Sequence, residues 1–212
     1  MSRRAASARL FVAVDPPEQV AALLAAWART AARERRSAGG SQQQTLRVLD
    51  PELLHVTVCF LGNVPVQEIP SLTDELAACD RPTVRLSVGA PLWLPPRRPR
   101  ALAVELHDEG EALARIHAQV VARLEPVEEL SHAPSGPTGA RAKPRRFRPH
   151  ITVARMRADG SSRRRGGGRE QALPPTPALS FAPAELVLYR SWLSPEGASY
   201  EALATFQIGD SP

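Results

Sequence analysis

Two short segments of the sequence carry the same pattern of chemically active residues. His55-Val-Thr-Val58 recurs 95 residues later as His150-Ile-Thr-Val153. Both segments are apolar enough to form strands. Side chains alternate faces along a strand, so each histidine is predicted to stand beside its threonine, with the β-branched apolar residues on the opposite face.

Strict alternation also assigns the neighbours of each motif. It places Phe60 with the valines on the apolar face of the first strand, and Cys59 on the face of His55. For Cys59 a packing role is favoured over that of a nucleophile. In the second strand, alternation turns Arg155 away from His150.

Two histidines and two hydroxyl groups suit acid–base chemistry on a phosphate. Histidine titrates near neutrality, so one imidazole can accept a proton from water while the other, charged, protonates a leaving alkoxide. The hydroxyls of Thr57 and Thr152 can donate to the phosphate oxygens. A metal site needs three or four converging ligands. The motifs supply only two histidines, so neither a metal nor another cofactor is expected.

The elements that must position these motifs are predicted to be strands, single or in neighbouring pairs, with three helices between them. Apolar spacing predicts helices over 18–36 and 70–79, and a third that opens at Asp108 with Glu111 as its capping-box partner. His117 falls at the surface or boundary of that third helix. Predicted strands cover 10–14, 46–49, 53–61, 83–94, 100–106, 148–154, 185–192 and 199–208.

Neighbouring strands with three helices between them predict an α+β fold with largely antiparallel sheets. Each motif copy is preceded by strands and a long helix. The sequence therefore predicts two pseudo-symmetric lobes, each an antiparallel sheet with helices, that face each other across a central cleft. The segments 131–146 and 158–177 are rich in Gly, Pro, Ser or Arg and are predicted to be flexible loops.

Composition narrows the class of protein. The chain has 212 residues, 43% of them hydrophobic and 23% charged, which is ordinary for a globular domain. No apolar run approaches the length of a membrane span, and no secretory signal is recognised. Cys59 and Cys79 cannot make a disulfide framework. A cytoplasmic monomer that does not bind membranes is expected.

Positive charge is concentrated in one segment. The stretch 141–169 holds eleven basic residues and one acidic residue, or +10, while the rest of the chain is net negative. Such a block is an electrostatic footprint for nucleic acid, although a solvated arginine-rich loop has the same composition. The segment includes His150, so its flanks are expected to emerge beside the proposed cleft and to bind the phosphates of a nucleic acid.

The motifs and their order resemble a known family. Arg9-Leu-Phe-Val-Ala-Val-Asp-Pro-Pro17 is similar to its opening strand, Leu54–Gly62 to its first motif, Phe147–Arg155 to its second, and Leu186–Gly197 to its C-terminal hairpin. The family is that of the RNA 2′,3′-cyclic phosphodiesterases, also called LigT-like or 2′-5′ RNA ligase proteins. They belong to the 2H phosphoesterase superfamily, named for two H-x-T-x motifs.

The resemblance implies a fold, an activity and a set of site residues. It implies one bilobal domain over 9–208 that hydrolyses RNA 2′,3′-cyclic phosphate ends, tRNA fragments among the candidates, to a 2′-phosphomonoester without a cofactor. By resemblance His55 is the proton donor and His150 the acceptor, and the substrate-binding residues are Thr57, Thr152 and Arg155. The alternatives are 2′-5′ RNA ligation, hydrolysis of a small cyclic nucleotide, and a non-catalytic basic RNA-binding protein.

Overall fold

The strands and helices of the chain follow the predicted order closely. A computed structural model of the protein describes residues 6–37, 45–96, 99–128, 147–156, 173–194 and 197–209. The helices are α1 (Glu18–Ser37), α2 (Ile69–Ala77) and α3 (Ala112–Glu128). The strands are β1 (Ser7–Val14), β2 (Leu46–Val48), β3 (Val56–Pro65), β4 (Arg85–Leu94), β5 (Ala101–Glu109), β6 (His150–Met156), β7 (Ser180–Phe181), β8 (Glu185–Ser194) and β9 (Gly197–Gln207).

The strands form one antiparallel sheet in the order β7-β4-β5-β6-β3-β1-β8-β9, with β2 also paired to β6. The predicted α+β class is confirmed. We call β1, β3, β8 and β9 the first half, and the remaining strands the second half. The halves join where β3 meets β6, and the register there contains one Cα pair, Val56 opposite Ile151.

The helices cover one face of this sheet. Helix α3 contacts β3 and β5, whereas α1 contacts β2 and β6, so a long helix lies behind each motif strand. The apolar motif residues facing these helices, Val56, Val58, Ile151 and Val153, are at most 3% exposed. Burying each such side chain contributes about 1.5–3 kcal/mol. This packing fixes the two motif strands and leaves their other face for polar side chains.

The start of α3 differs from the predicted capping box. The carboxylate of Asp108 accepts hydrogen bonds from the backbone N–H groups of Leu113 (3.2 Å) and Ala114 (2.8 Å). It therefore caps the helix, but from further away than a capping box allows. Gly110 and Glu111, with φ of 78° and 56°, add a turn between cap and helix. As a result, α3 begins four residues beyond Asp108.

Of the two predicted loops, 131–146 lies outside the described residues, and 158–177 is described only from residue 173 onward. The indole N–H of Trp27 donates to the carbonyls of Pro174 (3.3 Å) and Pro175 (2.9 Å). The hydroxyl of Thr176 donates to the carbonyl of Gly89 (2.7 Å). These bonds tie residues 174–176 to α1 and β4.

In the described ranges, no helix has both the length and the apolar character needed to cross a membrane.

Candidate active site

Both motif histidines and both motif threonines lie where the halves join, on the face of the sheet that no described helix covers, called the helix-free face below. Extending the register of the joining pair by one residue sets Thr57 opposite His150, and His55 opposite Thr152. All four are partly buried, unlike the fully buried apolar residues between them. Opposite Cβ atoms in an antiparallel pair lie about 4.5–5.5 Å apart, so the four side chains can contact a single phosphate.

The two histidines are oriented by the same local hydrogen bond. The Nδ1 of His55 lies 2.9 Å from the carbonyl oxygen of Leu53, and the Nδ1 of His150 lies 2.9 Å from that of Arg148. A carbonyl only accepts, so Nδ1 carries the proton and donates it in both rings. The nitrogen that remains to exchange protons with a ligand is Nε2 in each case.

Aromatic rings enclose His55. Its ring centroid lies 4.9 Å from that of Phe11 and 5.2 Å from that of Tyr200, which meets it edge-on. This burial lowers the pKa of His55 to about 4, against its hydrogen bond to Leu53 and with help from the positive charge of Arg155 and from His150. His55 is therefore neutral at pH 7 in the absence of a ligand.

The ring of Phe11 packs against a tyrosine that is fixed by a partly buried hydrogen bond. Tyr189 stacks on Phe11 with centroids 5.2 Å apart, and its hydroxyl donates to the carboxylate of Asp15 (2.5 Å). Burial raises the pKa of Asp15, and burial with this bond raises that of Tyr189. Sequence reasoning missed these residues and Tyr200, because only the long β8–β9 hairpin brings the tyrosines to the first motif.

A β-bulge in β6 brings Arg155 to the site. Two adjacent residues of β5, Ala103 and Leu102, pair with Thr152 and Ala154, so Val153 has no partner of its own on β5. Both Val153 and Ala154 are fully buried. The alternation is shifted by one, which returns Arg155 to the face of Thr152. The positive charge of Arg155 is one of the causes that lower the pKa of His55. The expectation that Arg155 is turned away from the motif histidines is wrong for this reason.

The same bulge occurs at the same place in β3. Adjacent residues of β1 pair with Thr57 and Cys59, so Val58 is the extra residue. Cys59 packs against the core rather than beside His55, as strict alternation predicted. Phe60 was expected on the apolar face, but it is 63% exposed and its ring lies 6.2 Å from that of Phe11. Both expectations fail because the bulge shifts the alternation.

His117 does more than mark the boundary of α3. Its Nδ1 lies 2.8 Å from the carbonyl oxygen of Val58, the bulged residue of β3. Its ring stacks on Phe147, with centroids 4.3 Å apart and planes at 14°. Phe147 precedes His150 by three residues, so His117 contacts the backbone of one motif strand and the approach to the other.

Two further expectations concern ligands. The structure describes only residues 147–156 of the basic segment 141–169, so nine of its eleven basic residues, the run 163–165 among them, lie outside the described residues. Within the described ranges, no three His, Cys, Asp or Glu side chains form a group that could hold a metal ion.

Comparison with known proteins gives a consistent result. The sequence model of a family described as the 2′-5′ RNA ligase superfamily matches residues 8–191. A protein of Thermus thermophilus named RNA 2′,3′-cyclic phosphodiesterase is 30% identical in an alignment of 209 positions that covers 94% of this chain and 90% of that one. A crystal structure of a Thermus thermophilus protein is 28% identical, with a TM-score of 0.67 over 95% of this chain and 98% of that chain. Escherichia coli LigT shares the fold at 20% identity, with a TM-score of 0.67 over 96% of this chain and 99% of its own.

Proposed function

Because this chain belongs to the 2′-5′ RNA ligase superfamily, we propose that it is an RNA 2′,3′-cyclic phosphodiesterase that leaves a 2′-phosphomonoester. The observation that carries the proposal is the meeting of two H-x-T motifs on one face, with both Nδ1 atoms bonded to carbonyls. The domain extends over residues 9–208.

In the proposed reaction, the oxygen of a water molecule attacks the phosphorus of the cyclic phosphate. His150 Nε2 takes the proton of that water, the bond from phosphorus to O3′ breaks, and O3′ receives a proton from His55 Nε2. Charge accumulates on the non-bridging oxygens, where the hydroxyls of Thr57 and Thr152 can donate, and Arg155 is the third residue proposed to bind the substrate. Each bond that forms or breaks is thereby matched by one proton transfer.

The donor role of His55 depends on the bound phosphate. Burial between Phe11 and Tyr200 holds the pKa of His55 near 4, so the ring carries no proton to donate at neutral pH. A phosphate anion beside Nε2 favours the charged ring and raises that pKa. In this scheme, the negative charge of the bound substrate favours the protonated form of His55, and that form is the proton donor.

The proposal predicts that a defined RNA with a 2′,3′-cyclic phosphate end is converted to one with a 2′-phosphate and a free 3′-hydroxyl, at the same rate with and without a chelator. Chromatography against synthetic 2′- and 3′-phosphate standards identifies the product. A 3′-phosphate, or joining of two RNAs through a 2′-5′ bond, would overturn the hydrolytic proposal. Binding without turnover would make the protein an RNA-binding module, and activity that depends on an added divalent ion would contradict metal-free acid–base catalysis.

A further inference from the structure

Two arginines lie directly opposite each other at one end of the site. Arg47 on β2 pairs with Arg155 on β6, so both side chains occupy the helix-free face. Leu46, on the other face of β2, is buried, while Arg47 is exposed. Like charges opposite each other in a sheet are destabilising. No described carboxylate lies within 4.0 Å of either guanidinium, so neither arginine forms an ion pair within the described part of the chain.

The guanidinium of Arg47 lies against the tip of the β8–β9 hairpin, which belongs to the other half of the sheet. A Cβ at Gly197 would lie 2.9 Å from Nη2 of Arg47, and the φ of Gly197 is +147°. The positive φ favours a glycine at this position, and the short distance shows that the guanidinium lies directly against the hairpin backbone. The same hairpin places Tyr200 against His55. Arg47 thus lies beside the proposed catalytic face and not on a remote surface.

We infer that Arg47 and Arg155 bind a second phosphate, the diester that joins the cyclic-phosphate nucleotide to its 5′ neighbour. The inference rests on the proposed function. The partners of Thr152 and Arg155 on β5 are two residues apart, or about 7 Å along the strand. An anion there lies next to the reacting phosphate without coinciding with it. The preferred substrate is then a polynucleotide end and not a cyclic mononucleotide.

The test compares two substrates, a cyclic mononucleotide and a dinucleotide with a cyclic phosphate end, with the Arg47→Met variant. Losing one charge-assisted contact raises the KM for the dinucleotide roughly 10- to 100-fold. The mononucleotide kinetics stay within about twofold. The salt dependence of dinucleotide binding becomes weaker, because one contact between opposite charges is lost. Arg47→Lys, which keeps the charge, recovers part of the affinity, and Arg85→Met, an exposed arginine on β4, changes neither substrate.

Two results would overturn this inference. One is a dinucleotide KM of the Arg47→Met variant that equals the wild-type value. The other is an equal rise in the KM of both substrates, which would mean that the hairpin itself has moved. Calorimetric binding of the dinucleotide product gives the same comparison without turnover. Failure of the proposed function, with neither substrate hydrolysed by the wild type, is therefore distinguishable from failure of the second phosphate site.

A second inference has an independent origin in the contacts of His117. The bulge at Val58 removes that residue from regular pairing with β1, and Nδ1–H of His117 donates to its carbonyl. The ring stacks on Phe147, in the segment that leads to His150. The geometry points to His117 as a positioning residue that fixes Thr57 and His150 relative to each other through one imidazole. It touches neither side chain, so it acts through the backbone.

Two variants separate its contacts. In His117→Asn, the amide Nδ2 takes the place of Nδ1 and keeps the bond to Val58, whereas His117→Phe keeps the ring on Phe147 and removes the donor. We expect His117→Phe to lower kcat roughly 10- to 100-fold with KM within about twofold, because small displacements of catalytic groups are costly. His117→Asn keeps the bond to Val58 but loses the ring on Phe147, so it recovers only part of this loss.

The matched control is Gln119→Ala on the same helix. Gln119 bonds to the backbone of Asp80, at 3.0 Å and 3.3 Å, and does not contact either motif strand through these bonds. We expect a comparable loss of thermal stability with unchanged kcat. If His117→Phe behaves like Gln119→Ala, His117 only stabilises the fold and the inference is wrong. The affinity for inorganic phosphate, measured in parallel, reports on the geometry of the site without turnover.

Discussion

Replacing either motif histidine with alanine lowers kcat by about 10²–10⁴-fold, the usual contribution of a positioned acid or base. His55 and His150 lie on opposite sides of the join, and in the proposed mechanism both act on the same phosphate. The acid and the base work as a pair, so removing one histidine also removes the benefit of the other. The kcat of the double variant is therefore expected to be little lower than that of either single variant. Single-turnover kinetics on a cyclic-phosphate RNA measures all three.

The matched control for this series is His107→Ala. His107 is an exposed histidine on β5, paired with Ser87 and away from the join. Its replacement should leave kcat unchanged. Near-wild-type turnover by His55→Ala or His150→Ala would rule out the two-histidine mechanism, provided that circular dichroism shows folded protein. Losses that multiply in the double variant would show that the two rings act independently.

Acidification from about pH 6.5 to pH 4 destabilises the protein by about 3 kcal/mol through His55 alone. The pKa of His55 is about 4 in the folded chain, against 6.5 for an ordinary histidine, mainly because burial disfavours the charged ring. In this window the unfolded chain binds more protons. The free energy of unfolding therefore rises with pH through the window and levels off above it.

Urea unfolding at several pH values, for the wild type and for His55→Asn, isolates this contribution. The raised pKa of Asp15 acts in the opposite direction, since its stabilisation is lost as pH rises, but it is present in both proteins and cancels. The variant should lose the pH dependence that wild type shows between about pH 4 and 6.5. Identical curves would mean that His55 titrates normally in the folded chain.

A pH titration of the histidine rings, followed by NMR, tests which histidine donates the proton and which accepts it. If His55 is the donor, inorganic phosphate raises its midpoint toward neutrality, because the anion stabilises the charged ring. If phosphate leaves His55 near its low pKa and His150 becomes charged instead, the two roles are exchanged. The family resemblance alone assigned the donor role to His55.

The regular parts of the site were predictable from the sequence because they follow a period of two. His55 and Thr57 share a face with His150 and Thr152, as the alternation of polar and apolar residues indicated. The order of strands and helices was predictable for the same reason. Apolar spacing distinguishes a strand from a helix without knowledge of the partner elements.

The irregular parts were not predictable. The bulges lie at Val58 and Val153, and valine occurs in any strand, so the sequence contains no signal for a bulge there. The faces on which Cys59, Phe60 and Arg155 lie could therefore not be predicted. The rings around His55 come from the two ends of the chain. His117 looked like a boundary residue because its partners lie on another strand and in the approach to the second motif.

The paired bulges have a consequence for how a duplicated scaffold recognises an unsymmetrical ligand. Two equivalent H-x-T motifs related by a local two-fold cannot tell the two ends of a nucleotide chain apart. In each strand the residue five positions after the histidine is released from the core by the bulge, and these residues differ, Phe60 in one half and Arg155 in the other. An aromatic surface suits a base and a guanidinium suits a phosphate. The two halves of the site therefore differ at this one position, and the difference gives a bound nucleotide chain its direction.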